Sequence, residues 1–362
     1  MTGPIVQPQE ASRTRYVVWL RNAASLHAEI RATADDLASR LDGVVVHNYS
    51  GVLPGFAIEI PPAQLAALQA DERVRQVWAD QPVHAASGGG LARIFRRAPC
   101  SPSVPITGGN GVNLYALDTG VANLPKVFGT RLQAGYSAIG GATDDQDGHG
   151  TEVAALAAGT PVGVATQVRI VPVKVQQGQF NGKVTDLLDG VRWAAGHAQS
   201  TAAPSIALIA LVTTAYPPLD SAVQTAIRQG LTFVVAAGNS NRDASGVSPA
   251  HVPEAITVGA SMPYNCQQDQ LWANGAQGSN YGPVLDLFAP GKDVDTYDRT
   301  GSPQSISGTS PATALVAGVA ALFLGQHPGS GPAQVAQGLQ GAAGRGQIYN
   351  LPSGSPDYVA WA

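Results

Sequence analysis

From residue 106 onward, the chain alternates short apolar runs with longer stretches of helical character. The short runs are rich in β-branched residues and cover 113–117, 168–175, 205–213, 231–237 and 255–258. The helical stretches cover 151–158, 185–198, 219–229 and 311–324. This alternation predicts an α/β fold, in which helices flank a mostly parallel sheet. In such folds, functional sites form beyond the carboxyl ends of the strands.

Residues 14–84 have a different pattern, which predicts a small α+β domain. Strands are expected at 16–20, 44–49, 55–60 and 74–78, and helices at 25–41 and 63–70. The order β-α-β-β-α-β is that of ferredoxin-like units. We therefore divide the chain into a polar N-terminal tail (1–13), this domain (14–84), a linker (85–105) and the α/β domain (106–362).

The linker begins Ala-Ala-Ser-Gly-Gly-Gly and continues with Arg93, Arg96, Arg97 and three prolines. This composition is typical of an exposed segment that is open to proteolysis. Its glycines do not follow a strand and open a helix, so they do not indicate a phosphate-binding loop. We interpret the basic cluster as a solvated loop.

The composition argues against several classes of partner. Of the 362 residues, 13% are charged and the formal net charge is -4, which gives no electrostatic basis for binding nucleic acid or an anionic membrane. The longest nearly apolar run, 312–324, is too short and too rich in Ala and Gly to span a bilayer. No signal peptide is visible, so we expect either a cytoplasmic protein or a secreted one whose leader is absent. A monomer is expected, and Cys100 and Cys266 form either one disulfide or two thiols.

Three short motifs each contain one chemically distinctive residue: Asp118 in A-L-D-T-G-V, His149 in D-G-H-G-T-E-V-A and Ser310 in S-I-S-G-T-S-P-A-T-A. A serine hydroxyl is a poor nucleophile at neutral pH. It needs an imidazole base, and the imidazole needs a carboxylate that fixes its tautomer. Taken singly, Asp118 reads as a turn residue, His149 as a packed or helix-capping residue and Ser310 as an N-cap. Together they predict a catalytic triad.

The order Asp, His, Ser and a fourth element, F-V-V-A-A-G-N ending at Asn239, resemble the subtilisin-like serine proteases, especially the proteinase K-like branch. The resemblance extends over nearly the whole chain. It implies a serine endopeptidase that acts on polypeptides, in which Ser310 attacks the peptide carbonyl and His149 transfers the proton. Asn239 and the backbone N–H of Ser310 would bind the oxyanion.

The domain at 14–84 resembles the inhibitory propeptide of the same family, notably in L-P-G-F-A-I-E-I and R-V-R-Q-V-W-A-D-Q-P-V. The resemblance implies a zymogen that cleaves itself and carries its own propeptide as an intramolecular inhibitor. Because L-A-R-I at 91–94 resembles the start of a mature enzyme, the cut is expected around His84, Ala85 and Ala86.

The substrate-binding segments depart from the family pattern. By resemblance they comprise Ala210, Leu211 and Val212 on one side and Ala236, Ala237 and Gly238 on the other. The family has Ser-Leu-Gly-Gly where this chain has residues 210–213, and its glycines leave room for the side chain that precedes the cleaved bond. Val212 and Thr213 add bulk, which predicts a narrowed specificity pocket that favours small or polar residues such as Ala.

The altered strand, with Val212, and the replacement at Ala314 keep two alternative functions open. Glu152 stands where the family usually has a second histidine, and Ala314 replaces a proline of the family's helix. Pro311 suits the first turn of a helix. The alternatives are a processing protease or peptide ligase that transfers the acyl group to an amine, and a catalytically weak pseudoprotease that acts as a binding module.

No organic cofactor or metal is expected. The resemblance admits calcium, although Met262 stands where related enzymes often have a calcium-binding carboxylate. Asp144, Asp145 and Asp147 form an acidic loop before His149, which we interpret as solvated rather than as a cation site. The other histidines lack the spacing of zinc ligands.

Overall fold

The computed structural model describes residues 13–21, 27–85, 107–178, 181–265 and 268–361. These residues group into two compact units, one that ends at Asp80 and one that begins at Gln81. Cys100, Cys266, the basic cluster of the linker and Ala86 of the expected cleavage region lie outside the described residues.

The first unit has the predicted β-α-β-β-α-β order. Its elements are β1 (Thr14–Leu20), α1 (His27–Arg40), β2 (Val44–Asn48), β3 (Gly55–Ile60), a 3-10 turn (Pro62–Gln64), α2 (Leu65–Ala70) and β4 (Val74–Ala79). The sheet order is β2-β3-β1-β4, with antiparallel neighbours throughout. Ile30, Ala34 and Leu37 recur on one face of α1 and are fully buried in the core of this unit.

The second unit contains the remaining elements. Its helices are α3 (Pro125–Phe128), α4 (His149–Ala158), α5 (Val184–Thr201), α6 (Pro217–Arg228), α7 (Thr309–Gln326) and α8 (Pro332–Ala342). Its strands are β5 (Pro82–Ala85), β6 (Asn113–Asp118), β7 (Tyr136–Ser137), β8 (Arg169–Lys174), β9 (Gly182–Lys183), β10 (Ser205–Ile209), β11 (Leu211–Thr214), β12 (Thr232–Ala236), β13 (Val247–Ser248), β14 (Ile256–Pro263), β15 (Asp269–Leu271), β16 (Ala273–Asn274), β17 (Gln277–Gly278), β18 (Leu287–Pro290), β19 (Val294–Tyr297), β20 (Pro303–Ile306), β21 (Gly344–Arg345), β22 (Ile348–Tyr349) and β23 (Tyr358–Val359).

The main sheet confirms the predicted α/β class. Its order is β7-β8-β6-β10-β12-β14-β18-β23-β21, and the neighbours from β7 to β23 are parallel. β6 comes before β8 and β10 in the chain and lies between them in the sheet, so the strand order reverses there. A reversal of this kind opens a crevice beyond the carboxyl ends of the strands. Asp118, the last residue of β6, lies at that position.

Helix α7 is the centre of the core. Every residue from Thr309 to Leu322 is buried, and the helix packs against α4, β10, β12, β14 and β18. It has the length and hydropathy of a membrane span, but 83% of this stretch is buried inside the fold. The helix is therefore apolar on all sides because protein surrounds it.

The apolar run 205–213 is not one strand, contrary to the prediction. β10 ends at Ile209 in the main sheet, whereas β11 begins at Leu211 in a second sheet with the order β13-β11-β5-β9. Ala210 lies at the break. Both halves are apolar because both are buried, so the hydrophobic pattern contains no signal for the change of sheet.

Candidate active site

Asp118 and His149 form a buried hydrogen-bonded pair. Asp118 ends β6 and His149 begins α4, and their side chains are 1% and 0% exposed. His149 Nδ1 donates to Asp118 Oδ1 over 2.8 Å, and the backbone N–H of Thr119 donates to the same oxygen over 2.8 Å. Because a carboxylate only accepts, the imidazole carries its proton on Nδ1, which leaves a lone pair on Nε2. The pair is thus oriented for a base at Nε2.

Ser310 is the second residue of α7, after Gly308 at the N-cap. Its Oγ donates to the carbonyl oxygen of Ala210 over 3.1 Å, so the hydroxyl lies beside the break between β10 and β11. Its backbone N–H belongs to the first turn of α7, where N–H groups have no intrahelical acceptor. α4 and α7 pack against each other, and the elements that carry His149 and Ser310 are therefore neighbours.

Asn239 is bonded to the residue that precedes Ser310. Its Oδ1 accepts from Thr309 N over 2.9 Å and from Thr309 Oγ1 over 3.0 Å. The amide is therefore oriented with Nδ2 on the side away from Thr309. Gly238 has φ of 96°, and a Cβ there would lie 2.7 Å from Asn280 Nδ2, so only glycine fits this position.

Asn280 holds the loop that carries Asn239. Its Nδ2 donates to Ala237 O over 2.8 Å, and its Oδ1 accepts from the backbone N–H groups of Ser240 and Arg242. The sequence analysis assigned no role to this residue. A buried amide that crosslinks two segments is recognisable only when both segments are in place.

Asp145 is only 2% exposed, so the interpretation of the acidic loop as solvated is wrong for this residue, whereas Asp144 and Asp147 are exposed. Its oxygens accept from the hydroxyls of Thr119 and Thr151 and from the backbone N–H groups of Asp147, Gly148 and Thr151. These bonds fasten the first turn of α4, and with it His149, to the loop after Asp118. A carboxylate at a helix N-terminus also complements the helix dipole.

Two further charged groups are buried near the pair. Lys174 Nζ donates to two backbone carbonyls, over 2.6 and 2.7 Å, and burial lowers the pKa of its ammonium group. Glu152, one turn after His149, accepts a hydrogen bond from Gln304. Burial raises the pKa of Glu152, and positive charge on His149 opposes that rise. The hydrogen bond between Glu152 and Gln304 connects α4 to β20.

The strand β5 lies between β11 and β9 and is antiparallel to both. The register places Ala85 opposite Leu211, His84 opposite Val212, Val83 opposite Gly182 and Pro82 opposite Lys183. Thr214 Oγ1 donates to Gln81 Oε1 over 2.8 Å. Pairing of an extended segment with a strand edge is a common mode of peptide recognition. The space between β11 and β9, which we call the cleft, is therefore shaped for a polypeptide backbone.

Of the segments expected to bind substrate, 210–212 borders β5 and 236–238 comes near Val212 at Gly238. Ala210, Leu211, Ala236 and Ala237 are fully buried. Val212 Cγ2 lies 3.7 Å from the point where a Cβ on Gly238 would stand, so the valine side chain faces the opposite segment. The hydroxyl of Thr213 instead bonds Gln81 Oε1, over 3.4 Å.

Among the described residues, no group of three or more His, Cys, Asp or Glu side chains is arranged to hold a metal ion. Thr119, Thr151 and backbone N–H groups occupy the oxygens of Asp145. The expectations about calcium and cofactors remain predictions.

The sequence model of the Subtilase family matches residues 109–355, and that of Peptidase inhibitor I9 matches residues 15–86. The Extracellular serine proteinase of Thermus sp. is 37% identical over 97% of this chain and 85% of the relative. Alkaline protease 1 of Aspergillus clavatus is 36% identical over 84% of this chain and 77% of the relative. The crystal structure of a cold adapted subtilisin-like serine proteinase aligns with a TM-score of 0.68 and 37% identity, covering 75% of this chain and 97% of that one.

Proposed function

Because this chain belongs to the subtilase family and is a subtilisin-like serine protease with an N-terminal inhibitor domain, we propose that its catalytic residues are Asp118, His149 and Ser310. The observation that carries this assignment is the buried Asp118–His149 hydrogen bond of 2.8 Å at the reversal point of the sheet. It gives the imidazole the tautomer that a base needs at Nε2.

In the proposed reaction, Ser310 Oγ attacks the peptide carbonyl while His149 Nε2 takes the hydroxyl proton. The imidazolium then gives that proton to the leaving amine, which leaves an acyl group on Ser310. Water repeats the sequence and releases the acid. Asp118 keeps the proton on Nδ1 and stabilises the imidazolium. Burial of the pair strengthens this charge interaction, since little water screens it.

The tetrahedral intermediate carries a negative oxygen, which requires fixed donors. We assign these donors to Asn239 Nδ2 and the backbone N–H of Ser310. Support comes from the two hydrogen bonds between Asn239 Oδ1 and Thr309, which fix the amide next to the start of α7. The helix dipole of α7 adds positive potential at the same place.

Asn239→Ala is expected to lower kcat by about 10²–10³ with little change in KM, as removal of an oxyanion donor does in subtilisin. Steady-state hydrolysis of a chromogenic peptide measures both constants. Asn239→Asp is the matched control, because its carboxylate can still accept from Thr309 but has no N–H to donate. Recovery of activity in the Asp variant would contradict the donor role and indicate that the bonds to Thr309 alone matter.

We further propose that the chain cleaves itself between Ala86 and Ser87. The ladder pairs residue 85 with Leu211 and residue 84 with Val212, and Ser310 Oγ bonds Ala210, the next residue of that segment. A substrate that extended this register by one residue would place that residue opposite Ala210 and its next peptide bond beside the Ser310 hydroxyl. The inhibitor family match also ends at residue 86.

The specificity pocket is proposed to be narrow, since Val212 faces Gly238 across the space for the side chain that precedes the cleaved bond. Val212→Gly is expected to raise kcat/KM about tenfold or more for a peptide of residues 80–88 with Phe at position 86, relative to the same peptide with Ala. Quenched fluorescent peptides measure this ratio. A wild-type enzyme that already prefers Phe would contradict the narrow pocket. Val212→Ala serves as the graded control and should fall between the two.

A fluorophosphonate label, followed by peptide mass spectrometry, tests the assignment of the nucleophile directly. We expect one labelled residue, Ser310, and no labelling of Ser310→Ala. Labelling elsewhere, or none in a folded protein, would refute the assignment. The same spectra report whether peptides end or begin at the 86–87 bond.

One relative is named an extracellular proteinase, and we propose that this protein also acts outside the cell.

A further inference from the structure

Gln176 is a buried residue that the proposed reaction does not use. It follows β8 by two positions and is 1% exposed. Neither its Nε2 nor its Oε1 has a hydrogen-bond partner among the described residues. Most buried polar atoms in proteins are bonded, so a carboxamide with both ends unbonded needs a physical reason.

The carboxamide of Gln176 and the side chain of Val83 both lie next to Gly182. A Cβ placed on Gly182 would stand 2.1 Å from Gln176 Oε1 and 2.5 Å from Val83 Cγ2. Gly182 therefore leaves open the space in which these two side chains meet. Val83 pairs with Gly182 in the β5–β9 ladder and is fully buried. An aliphatic side chain thus covers a group that can donate and accept.

We propose that Gln176 is a specificity-determining residue that favours, at the substrate position now held by Val83, a side chain able to exchange hydrogen bonds over an aliphatic one of the same size. This inference rests on the proposed function, in which a substrate takes the place of β5. Threonine is the matching isostere of valine, and its hydroxyl can both accept from Nε2 and donate to Oε1. With valine, the buried amide stays unsatisfied.

The same geometry concerns β5, the chain's own segment in the cleft, which we call the tail. Val83 leaves the amide of Gln176 unbonded, so this segment binds without a hydrogen bond that a better substrate would make. Its affinity for the cleft is correspondingly lower than that of a segment with a polar residue at this position. A tail with this property is easier for an incoming polypeptide to displace.

The experiment compares the hydrolysis of two quenched fluorescent peptides with the sequence of residues 80–88, one with Val and one with Thr at position 83. The enzyme is produced as the full chain and used after it has processed itself. We expect kcat/KM to be about tenfold higher for the Thr peptide, because a site built for hydrogen bonds rejects a ligand that lacks them. In Gln176→Met, which keeps the length of the side chain but cannot donate, the ratio should fall to one or below. In Gln176→Glu, which can still accept from a hydroxyl, the preference for Thr should persist. The ratio is taken within one enzyme, so the fraction of active protein cancels.

Three outcomes would overturn the inference. If the wild-type enzyme cleaves both peptides equally or prefers Val, Gln176 does not select, and the proposed protease function stands. If Thr is preferred but Gln176→Met keeps that preference, or Gln176→Glu loses it, the preference arises elsewhere. If the wild-type enzyme cleaves neither peptide, the proposed self-cleavage register is wrong as well, and the inference falls with it.

Discussion

Ser310→Ala is expected to lower kcat for peptide hydrolysis by about 10⁶, the size of the loss known for the nucleophile of subtilisin. Without the hydroxyl no acyl-enzyme forms, and only binding and oxyanion stabilisation remain to accelerate direct attack by water. The measurement is the rate for a chromogenic peptide under substrate saturation. The variant should also remain a single uncut chain of 362 residues, because the same nucleophile is proposed to cleave the 86–87 bond.

Ser200→Ala is the matched control, since Ser200 is exposed and its hydroxyl donates to the local carbonyl of His197 at the end of α5. It should keep wild-type kinetics and normal processing. Cleavage of the Ser310→Ala chain in a purified sample, at the wild-type position and rate, would contradict self-processing by this residue. Cleavage by a contaminating protease can be recognised because inhibitors of the protease classes stop it. Ser310→Ala lacks the hydroxyl with which a serine-protease inhibitor reacts.

Asp118→Asn is expected to lower kcat by about 10⁴, with KM little affected, as in the corresponding substitution of the Ser-His-Asp triad. Asp118 Oδ1 accepts from both Thr119 N and His149 Nδ1. An amide oxygen at that position loses the charge that stabilises the imidazolium, and its NH₂ group is buried where Oδ2 has no hydrogen-bond partner among the described residues. An amide nitrogen there opposes the Thr119 N–H and forces the proton of the imidazole onto Nε2. The first orientation weakens the base and the second removes it.

Asp144→Asn makes the same chemical change on an exposed side chain of the loop before His149. It should leave kcat close to the wild-type value. Fluorophosphonate labelling of Asp118→Asn should slow in parallel with kcat, because activation of Ser310 requires the same base. Retention of rapid labelling with slow turnover would contradict the proposed role of Asp118 in activating the nucleophile.

The fold class and the small N-terminal domain could be predicted from the sequence because each rests on local periodicity. The helix predicted at 25–41 is α1, His27–Arg40, and its apolar positions are those that the core buries. The parallel sheet followed from alternation of buried strands and helices, a pattern that needs no knowledge of contacts. The prediction of one strand at 205–213 was wrong because the two halves of this run pair in different sheets. Which sheet each half joins depends on the strands it pairs with.

The site shows the same division. Sequence motifs identified Asp118, His149, Ser310 and Asn239. The catalytic roles of these residues remain proposals. The sequence analysis placed Asp145 in a solvated loop and did not name Gln176. Both are polar residues near glycine-rich segments, a context that reads as solvated loop, yet both are almost completely buried. Only the folded chain shows that Asp145 fastens the helix of His149 and that the buried amide of Gln176 lies beside Gly182 and Val83.

By itself, the sequence determined the order of the elements, the two domains and the family, because periodicity and motifs are local properties that survive without contacts. The tertiary structure alone decided which segment lies in the cleft, where the apolar run at Ala210 breaks and which polar groups become buried. These depend on the register between segments that are far apart in the chain. Their free energy comes from excluded water and paired hydrogen bonds, which exist only once those segments have met.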